Sequence, residues 1–92
     1  MIIKIKDYDP SELLKDPKVA SYYLQSEIEE GDPRYIRYAI SNIIKTRNIS
    51  EVAKSAKISR TSIYRLLDSN KTIDLDTFLK ILKALNLKLT LR

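Results

Sequence analysis

The sequence predicts a mainly α-helical domain, a bundle of five to six helices with short β-strands at its N- and C-terminal ends. Proline follows aspartate three times in the first third of the chain, a pair typical of helix starts: Asp9-Pro10, Asp16-Pro17 and Asp32-Pro33. Further along, apolar residues recur at helical spacing. Only the two ends alternate apolar and polar residues with a period of two, which is typical of strands.

The aspartate–proline pairs define the first three predicted helices. Proline suits the first helical position because its missing N–H needs no partner there, and the preceding aspartate can accept a bond from the backbone. We therefore predict helices over residues 10–15, 17–30 and 33–47. Gly31 is the one glycine of the chain and is suited to end the second helix. The third helix carries isoleucines on one face: Ile36, Ile40, Ile43 and Ile44.

Three further helices are predicted from a capping residue that precedes each one: 51–56 after Ser50, 60–68 after Ser59, and 75–85 after Asp74. The last has a wide apolar stripe, formed by Leu75, Phe78, Leu79, Leu82 and Leu85. The predicted strands are "IIKIK" at residues 2–6 and "LKLTLR" at residues 87–92. Two isolated strands are marginal in water, so they either pair on the helices or add to a sheet supplied by a second chain. Both arrangements remain open.

Composition narrows the class of function. The chain has neither cysteine nor histidine, which removes disulfides, thiolate metal sites, the commonest general base and the commonest metal ligand. No apolar run approaches the roughly 20 residues that span a bilayer, and no signal peptide opens the sequence. With 92 residues, the chain has room for one core. We expect a single-domain cytoplasmic protein that has no cofactor, does not bind membranes and is not an enzyme.

Charge is distributed unevenly along the chain. Residues 1–33 hold four basic side chains against eight acidic ones, a balance of −4, and residues 34–92 hold thirteen against four, a balance of +9. The basic part is suited to phosphates, and residues 1–32 form an acidic N-terminal extension suited to a different partner. The alternative explanation is that uneven charge serves solubility alone.

The two short helices within residues 49–68 have the proportions of a helix-turn-helix motif. Four positions give it a packed skeleton: Ala53 where the helices cross, Ile58 in the turn, and Ile63 and Leu66 on the second helix. Lys57 stands in the turn where such motifs usually carry glycine. A left-handed backbone at a non-glycine residue costs roughly 1 kcal/mol, which the fold can offset.

The residues that this skeleton leaves pointing outward form a candidate DNA-binding surface. On the second helix they are Ser59, Arg60, Thr61, Ser62, Tyr64 and Arg65. Arginines can fork onto guanine O6 and N7, and short hydroxyls can reach phosphates or base edges in a major groove. Lys54 and Lys57 are expected to contact the DNA backbone, and Ser50 completes the predicted set. The alternative is a pair of short helices with a solvated basic face.

The sequence of this motif and the segments around it resemble a known family. The segment "ISEVAKSAKISRTSIYRLL" is similar to the helix-turn-helix of the lambda-repressor-like (XRE) class. The flanking segments resemble one branch of that class, the addiction-module antidote proteins, also described as prophage DNA-binding proteins. They carry "LKD", a Tyr-Leu helix and "EEGDP" in order, and the closing "LKALNLKL". Asn86 stands where the family usually has glycine, and asparagine can also end a helix.

The resemblance implies a type II antitoxin that represses its own operon and neutralises a basic toxin of the RelE/ParE superfamily. We expect a homodimer on a palindromic double-stranded operator, because one recognition helix makes few base contacts and two-fold dimers bind half-sites roughly 34 Å apart. Two alternatives remain: a protein-interaction module that masks its partner without specific DNA binding, and a prophage transcriptional regulator with no toxin partner.

The toxin-facing hypothesis concerns Glu27, Glu29 and Glu30, which crowd the C-terminal end of the second helix. The helix dipole disfavours negative charge there, so a function other than stability is one explanation. The other explanation is that these glutamates are simply solvated, or that they pair with Arg34 and Arg37.

Four tyrosines fall on predicted helices: Tyr22, Tyr23, Tyr35 and Tyr38. We expect them in the core or at an interface, because platforms that stack bases of single-stranded nucleic acid usually lie on exposed sheets.

Overall fold

The computed structural model describes residues 10–68 and 73–89, and every regular element in these two stretches is an α-helix. The six helices are α1 (Pro10–Leu14), α2 (Pro17–Glu30), α3 (Pro33–Ile44), α4 (Ile49–Ala56), α5 (Arg60–Asp68) and α6 (Leu75–Ala84). The prediction of a mainly α-helical chain with up to six helices is confirmed. None of the helices in the described stretches has the length and apolar character that crossing a bilayer requires.

Aspartate side chains begin three of the helices, as predicted. The contacts are Asp16 Oδ1 with the Lys18 N–H (2.9 Å), Asp32 Oδ1 with the Arg34 N–H (2.9 Å) and Asp74 Oδ2 with the Thr77 N–H (3.2 Å). Asp32 also accepts from the Arg34 guanidinium at 3.0 Å. These donors favour the ionised carboxylate, which lowers the pKa of Asp32 below its ordinary value. Bonds from Thr77 lower the pKa of Asp74 in the same way.

The predicted ends of the first and last helices each differ by one residue from Leu14 and Ala84, and two further boundaries are wrong by two or more residues. The third helix ends at Ile44 rather than at residue 47, because the backbone tightens into a turn in which the N–H groups of Thr46 and Arg47 each bond three residues back. Helix α4 begins at Ile49 rather than at residue 51. Its cap is Asn48, not Ser50: the Asn48 side chain accepts the Glu51 N–H at 3.1 Å, which adds two residues to the helix.

The predicted strands are not confirmed. Residues 2–6 lie outside the described part of the chain, as do residues 90–92. Residues 87–89 are described and form no strand. Leu87 is buried in the core instead, and the Lys88 N–H donates to Ser21 Oγ of α2 at 3.2 Å. Residues 87–89 are therefore held by burial of Leu87 and by one hydrogen bond to α2, without the backbone hydrogen bonds to a neighbouring strand that a β-strand requires.

One apolar core joins the helices. Helix α2 packs on α3, α1 lies against both, α3 contacts α5, and α4 packs on α5 and α6. The fully buried side chains of largest volume come from four of the six helices, α2, α3, α5 and α6: Leu24, Ile40, Ile43, Ile44, Ile63 and Ile81. Because α5 is backed by α3 and α4, one of its faces is fixed to the core and the other is turned to solvent.

Candidate nucleic-acid interface

Helices α4 and α5 pack on each other through their apolar faces. Val52, Ala53 and Ala56 of α4 are buried, as are Ile63 and Leu66 of α5. Ile58 is half-buried in the connection between the helices and packs against the core. A short side chain at residue 53 permits a close approach of the two helices, which fixes the direction in which α5 points.

The turn between α4 and α5 takes the left-handed conformation predicted at Lys57, with φ 59° and ψ 40°. The Ile58 N–H donates to the Ala53 carbonyl at 3.1 Å and the Lys57 N–H to the Lys54 carbonyl at 3.3 Å. This is the bonding pattern of a Schellman motif. It satisfies the carbonyls of Ala53 and Lys54 and stabilises a backbone that lysine adopts at some cost.

Ser59 caps α5, as predicted. Its Oγ accepts the Ser62 N–H at 3.0 Å, and the hydroxyls of Ser59 and Ser62 lie 2.8 Å apart, in hydrogen-bonding contact. Both side chains are exposed. In the free protein their hydroxyls therefore stabilise the start of α5, and a phosphate at this end would be bound by atoms that already belong to the cap.

The outward face of α5 carries the remaining predicted contacts. Arg60, Thr61, Tyr64 and Arg65 are all exposed, with Tyr64 44% accessible. At 3.6 residues per turn, the two arginines lie about 140° apart around the helix axis, and Thr61 and Tyr64 fall between them. Asp68 is exposed at the far end of the helix. Arg60 thus lies at the N-terminal end of α5, the part that enters a groove in helix-turn-helix docking, and Arg65 lies in the last turn of the helix.

The three predicted residues of α4 and the turn lie on the surface as well. Ser50, Lys54 and Lys57 are exposed, with Ser50 in the first turn of α4. The ion pairs among the described residues involve other side chains: Lys15 with Glu12, Arg34 with Asp32 and Lys80 with Asp76. Within that part of the chain, Lys54, Lys57, Arg60 and Arg65 are therefore cations without a carboxylate partner.

Arg37 is a residue of this site that sequence reasoning did not identify. It lies on α3, partly buried, and its Nη1 donates to the Leu66 carbonyl of α5 at 2.9 Å. Leu66 belongs to the last turn of α5, where carbonyls lack partners within the helix and a cation is favoured by the dipole. Arg37 therefore ties the C-terminal end of α5 to α3. Its Nε is buried and has no hydrogen-bond partner in the structure.

The predicted acidic residues lie at the C-terminal end of α2. Glu29 and Glu30 are exposed and Glu27 is partly buried. Arg34 and Arg37, the predicted alternative partners, bond Asp32 and the Leu66 carbonyl. Glu29 and Glu30 line an open groove of about 540 Å³ with Ser21, Tyr22, Gln25, Ser26 and Lys88. This groove presents two carboxylates, hydroxyls, one aromatic ring, an amide and the ammonium group of Lys88.

The four tyrosines were expected in the core or at an interface, and three of them do not lie in the core. Tyr22, Tyr35 and Tyr38 are 77%, 57% and 56% exposed. Tyr23 alone packs against the core, and its hydroxyl accepts from Asn42 Nδ2 at 3.1 Å. The tyrosines lie at helical spacing, but the apolar face of α3 is completed by Ile36, Ile40 and Ile43, which leaves Tyr35 and Tyr38 on the outside.

The described residues contain no group of three acidic, histidine or cysteine side chains placed to hold a metal ion. The structure thus has a basic surface on α5 and the turn before it, and a separate acidic surface at the C-terminal end of α2. Positive charge on an exposed helix is suited to a phosphate backbone.

Comparison with known proteins places the chain in a family. The profile of the family described as "probable addiction module antidote protein" matches residues 4–92. An uncharacterized protein of Haemophilus influenzae is 33% identical over 88 residues, which cover 96% of this chain and 91% of that protein. No solved structure matches. The chain belongs to the family of probable addiction module antidote proteins.

Proposed function

We propose that this antidote-family chain is a DNA-binding antitoxin that represses its own operon and neutralises a basic toxin of the RelE/ParE superfamily. It acts by binding, without catalysing a reaction. The observation that carries the DNA-binding part is the outward face of α5. Arg60 and Arg65 are exposed there without an ion-pair partner among the described residues, while Ile63 and Leu66 fix the opposite face in the core.

In the proposed complex α5 lies in the major groove of duplex DNA as the recognition helix of a lambda-repressor-like motif. Arg60 and Arg65 donate to guanine O6 and N7, and Thr61 and Tyr64 fill the space between them. Lys54 and Lys57 contact phosphates on the side of α4 and the turn, which adds affinity without sequence preference. Arg37 fixes the far end of α5, so that the helix enters the groove as a rigid element.

The proposed toxin contact is the acidic end of α2, since the family implies a cognate toxin. Glu29 and Glu30 lie beside an exposed aromatic ring in the groove that contains Tyr22. Carboxylates next to an accessible tyrosine suit arginine and lysine side chains, which pair with the carboxylates and stack on the ring. Charge reversal at Glu27, Glu29 and Glu30 together is expected to weaken toxin binding. Unchanged affinity for the toxin would contradict this assignment.

The test of DNA binding is a titration of the purified protein onto a labelled duplex from its own upstream region. A scrambled duplex of the same length and composition is measured beside it, at two salt concentrations. We expect preference for the native duplex at both, with weaker binding of both duplexes at higher salt because neutralised phosphates release counterions. Equal, salt-sensitive binding to both duplexes would indicate electrostatic attraction alone and contradict sequence-specific repression.

A second candidate is a protein-interaction module that retains the helix-turn-helix as scaffold and only masks its toxin. The separate acidic end of α2 favours it, because that surface does not depend on α5. Absence of binding to any duplex, together with intact toxin binding, would select this alternative.

A further inference from the structure

The C-terminal ends of α4 and α6 border a lysine-lined pocket that the proposed contacts use only in part. Helix α4 packs on α6, and the pocket between their ends has a volume of about 430 Å³. It is lined by Ser55, Ala56, Lys57, Lys80, Lys83 and Ala84. None of these lining residues carries a carboxylate, so the charge of the pocket is positive throughout. We call it the α4–α6 pocket.

The lysines of the α4–α6 pocket are not needed to satisfy the ends of the two helices. Both helices end at a residue with a left-handed backbone, Lys57 after α4 and Asn86 after α6. After α6, the Leu87 N–H donates to the Leu82 carbonyl at 3.0 Å and the Asn86 N–H to the Lys83 carbonyl at 3.1 Å, the same pattern as at the end of α4. Because backbone N–H groups satisfy these carbonyls, the ammonium groups do not have to cap them.

The ammonium groups are also held weakly or not at all by carboxylates. Lys80 contacts Asp76 at 3.0 Å, one turn earlier on α6, and both side chains are largely exposed. Exposed ion pairs of this kind contribute little to stability, so a phosphate can replace Asp76 at small cost. Among the described residues, Lys57 and Lys83 form no ion pair. Three like charges around one open space favour an anion between them.

We infer that the α4–α6 pocket binds phosphate groups of the DNA backbone, beside the major-groove contact of α5. This inference rests on the proposed DNA-binding function and extends the contact to α6. Lys57 connects the two surfaces, because it lines the pocket and lies three residues before Arg60. Three residues span at most about 11 Å, and the major groove is about 12 Å wide. With Arg60 in the groove, Lys57 therefore reaches the phosphates along its edge, and Lys80 and Lys83 continue the basic surface onto α6.

The chemistry of the α4–α6 pocket suits the DNA backbone rather than the bases. Its cations are all lysines, whereas the cations on the outward face of α5 are Arg60 and Arg65. Lysine binds phosphate as a point charge, while the fork of arginine recognises a fixed pair of acceptors such as those of guanine. Ser55 is exposed and adds a hydroxyl that can donate to a phosphate oxygen. The pocket therefore adds affinity for any duplex and leaves sequence preference to α5.

The experiment measures affinity for the native upstream duplex and for its scrambled counterpart between about 50 and 200 mM salt. Wild type is compared with the double variant Lys80→Gln/Lys83→Gln. Each neutralised phosphate contributes about 0.9 to the slope of log affinity against log salt concentration. We expect the double variant to reduce this slope by about two, so that wild type loses about tenfold more affinity than the variant over that range of salt. Both duplexes should be affected alike, which leaves the ratio of their affinities at the wild-type value.

Lys15→Gln/Lys18→Gln is the matched control. It removes the same charge from two exposed lysines around the start of α2 and, like the test variant, breaks one surface ion pair, that of Lys15 with Glu12. It should leave the slope unchanged. Lys80→Arg/Lys83→Arg keeps the positive charge and should retain the wild-type slope. Far-ultraviolet circular dichroism should be alike for all variants, because all four lysines are exposed.

The possible outcomes separate this inference from the proposed function. An unchanged slope in Lys80→Gln/Lys83→Gln overturns the inference, and so does a fall that the control reproduces, because net charge alone would then explain it. Saturable binding of inorganic phosphate without DNA, together with an unchanged slope, would assign the pocket to a free anion instead. A reduced slope with equal affinity for the two duplexes leaves the inference standing and refutes sequence-specific repression. Absence of binding to any duplex overturns both.

Discussion

Replacing Lys57 with glycine tests the backbone geometry of the turn between α4 and α5, and it should raise stability. Lys57 has φ 59° and ψ 40° and is exposed, so the change removes no packing. A left-handed backbone costs an L-residue about 1–2 kcal/mol. Glycine removes that cost but loses about 0.4–1 kcal/mol through the greater freedom of its unfolded chain. The net gain lies between about 0 and 1.6 kcal/mol, and we expect the free energy of unfolding to increase by its midpoint, about 0.8 kcal/mol.

The assay is thermal unfolding followed by far-ultraviolet circular dichroism, which reports the loss of helix. For a domain of this size the midpoint should rise by about 2–8 °C. Lys57→Ala is the matched control, because alanine removes the charge but not the left-handed strain and should give no rise. A glycine variant that melts at or below the wild-type midpoint would refute the strained turn. Both variants should lower affinity for every duplex alike, with a salt slope smaller by about one.

Three further changes test the caps and the pH dependence. Gly31→Ala should destabilise the protein by about 1 kcal/mol. The cost is backbone strain alone, because Gly31 has φ 83° and a methyl group there meets nothing within 4 Å. Urea unfolding measures this loss, and an unchanged stability would contradict the left-handed backbone at residue 31. Ser59→Ala should cost about 1 kcal/mol by removing the cap of α5, with Ser59→Asp restoring most of it. The pKa of Asp74 is lowered in the folded state. Its carboxylate therefore stabilises the fold at pH values above its ordinary pKa of 3.8, and this stabilisation is lost as the pH falls below that value. Asp74→Asn should therefore reduce the fall of the melting midpoint between pH 6 and about pH 3, and an unchanged profile would contradict the assignment.

Local signals predicted most of the fold. Asp16, Asp32, Ser59 and Asp74 cap their helices as their short side chains and positions indicated. The left-handed backbone at Lys57 followed from the spacing of two short helices around a turn. Each of these features depends on residues within a few positions of one another, and such features can be read from sequence because their hydrogen bonds close locally.

Features that depend on distant residues were not predicted. Arg37 bonds a carbonyl 29 residues away, and no local pattern distinguishes it from a solvated arginine. Tyr35 and Tyr38 have helical spacing, yet the neighbouring isoleucines fill the space against the core. The choice between Asn48 and Ser50 as the cap of α4 was also not decidable by propensity, since both residues are good caps.

The most direct test of the account is the ratio of affinities for the native upstream duplex and its scrambled counterpart, measured for wild type, Arg60→Ala and Arg65→Ala. If these arginines read bases, each substitution should cost about 1–3 kcal/mol on the native duplex and bring the ratio towards one. Circular dichroism should stay unchanged, because both side chains are exposed. Lys54→Ala should instead weaken both duplexes alike and preserve the ratio. A ratio that both arginine variants leave at the wild-type value would contradict α5 as the recognition helix.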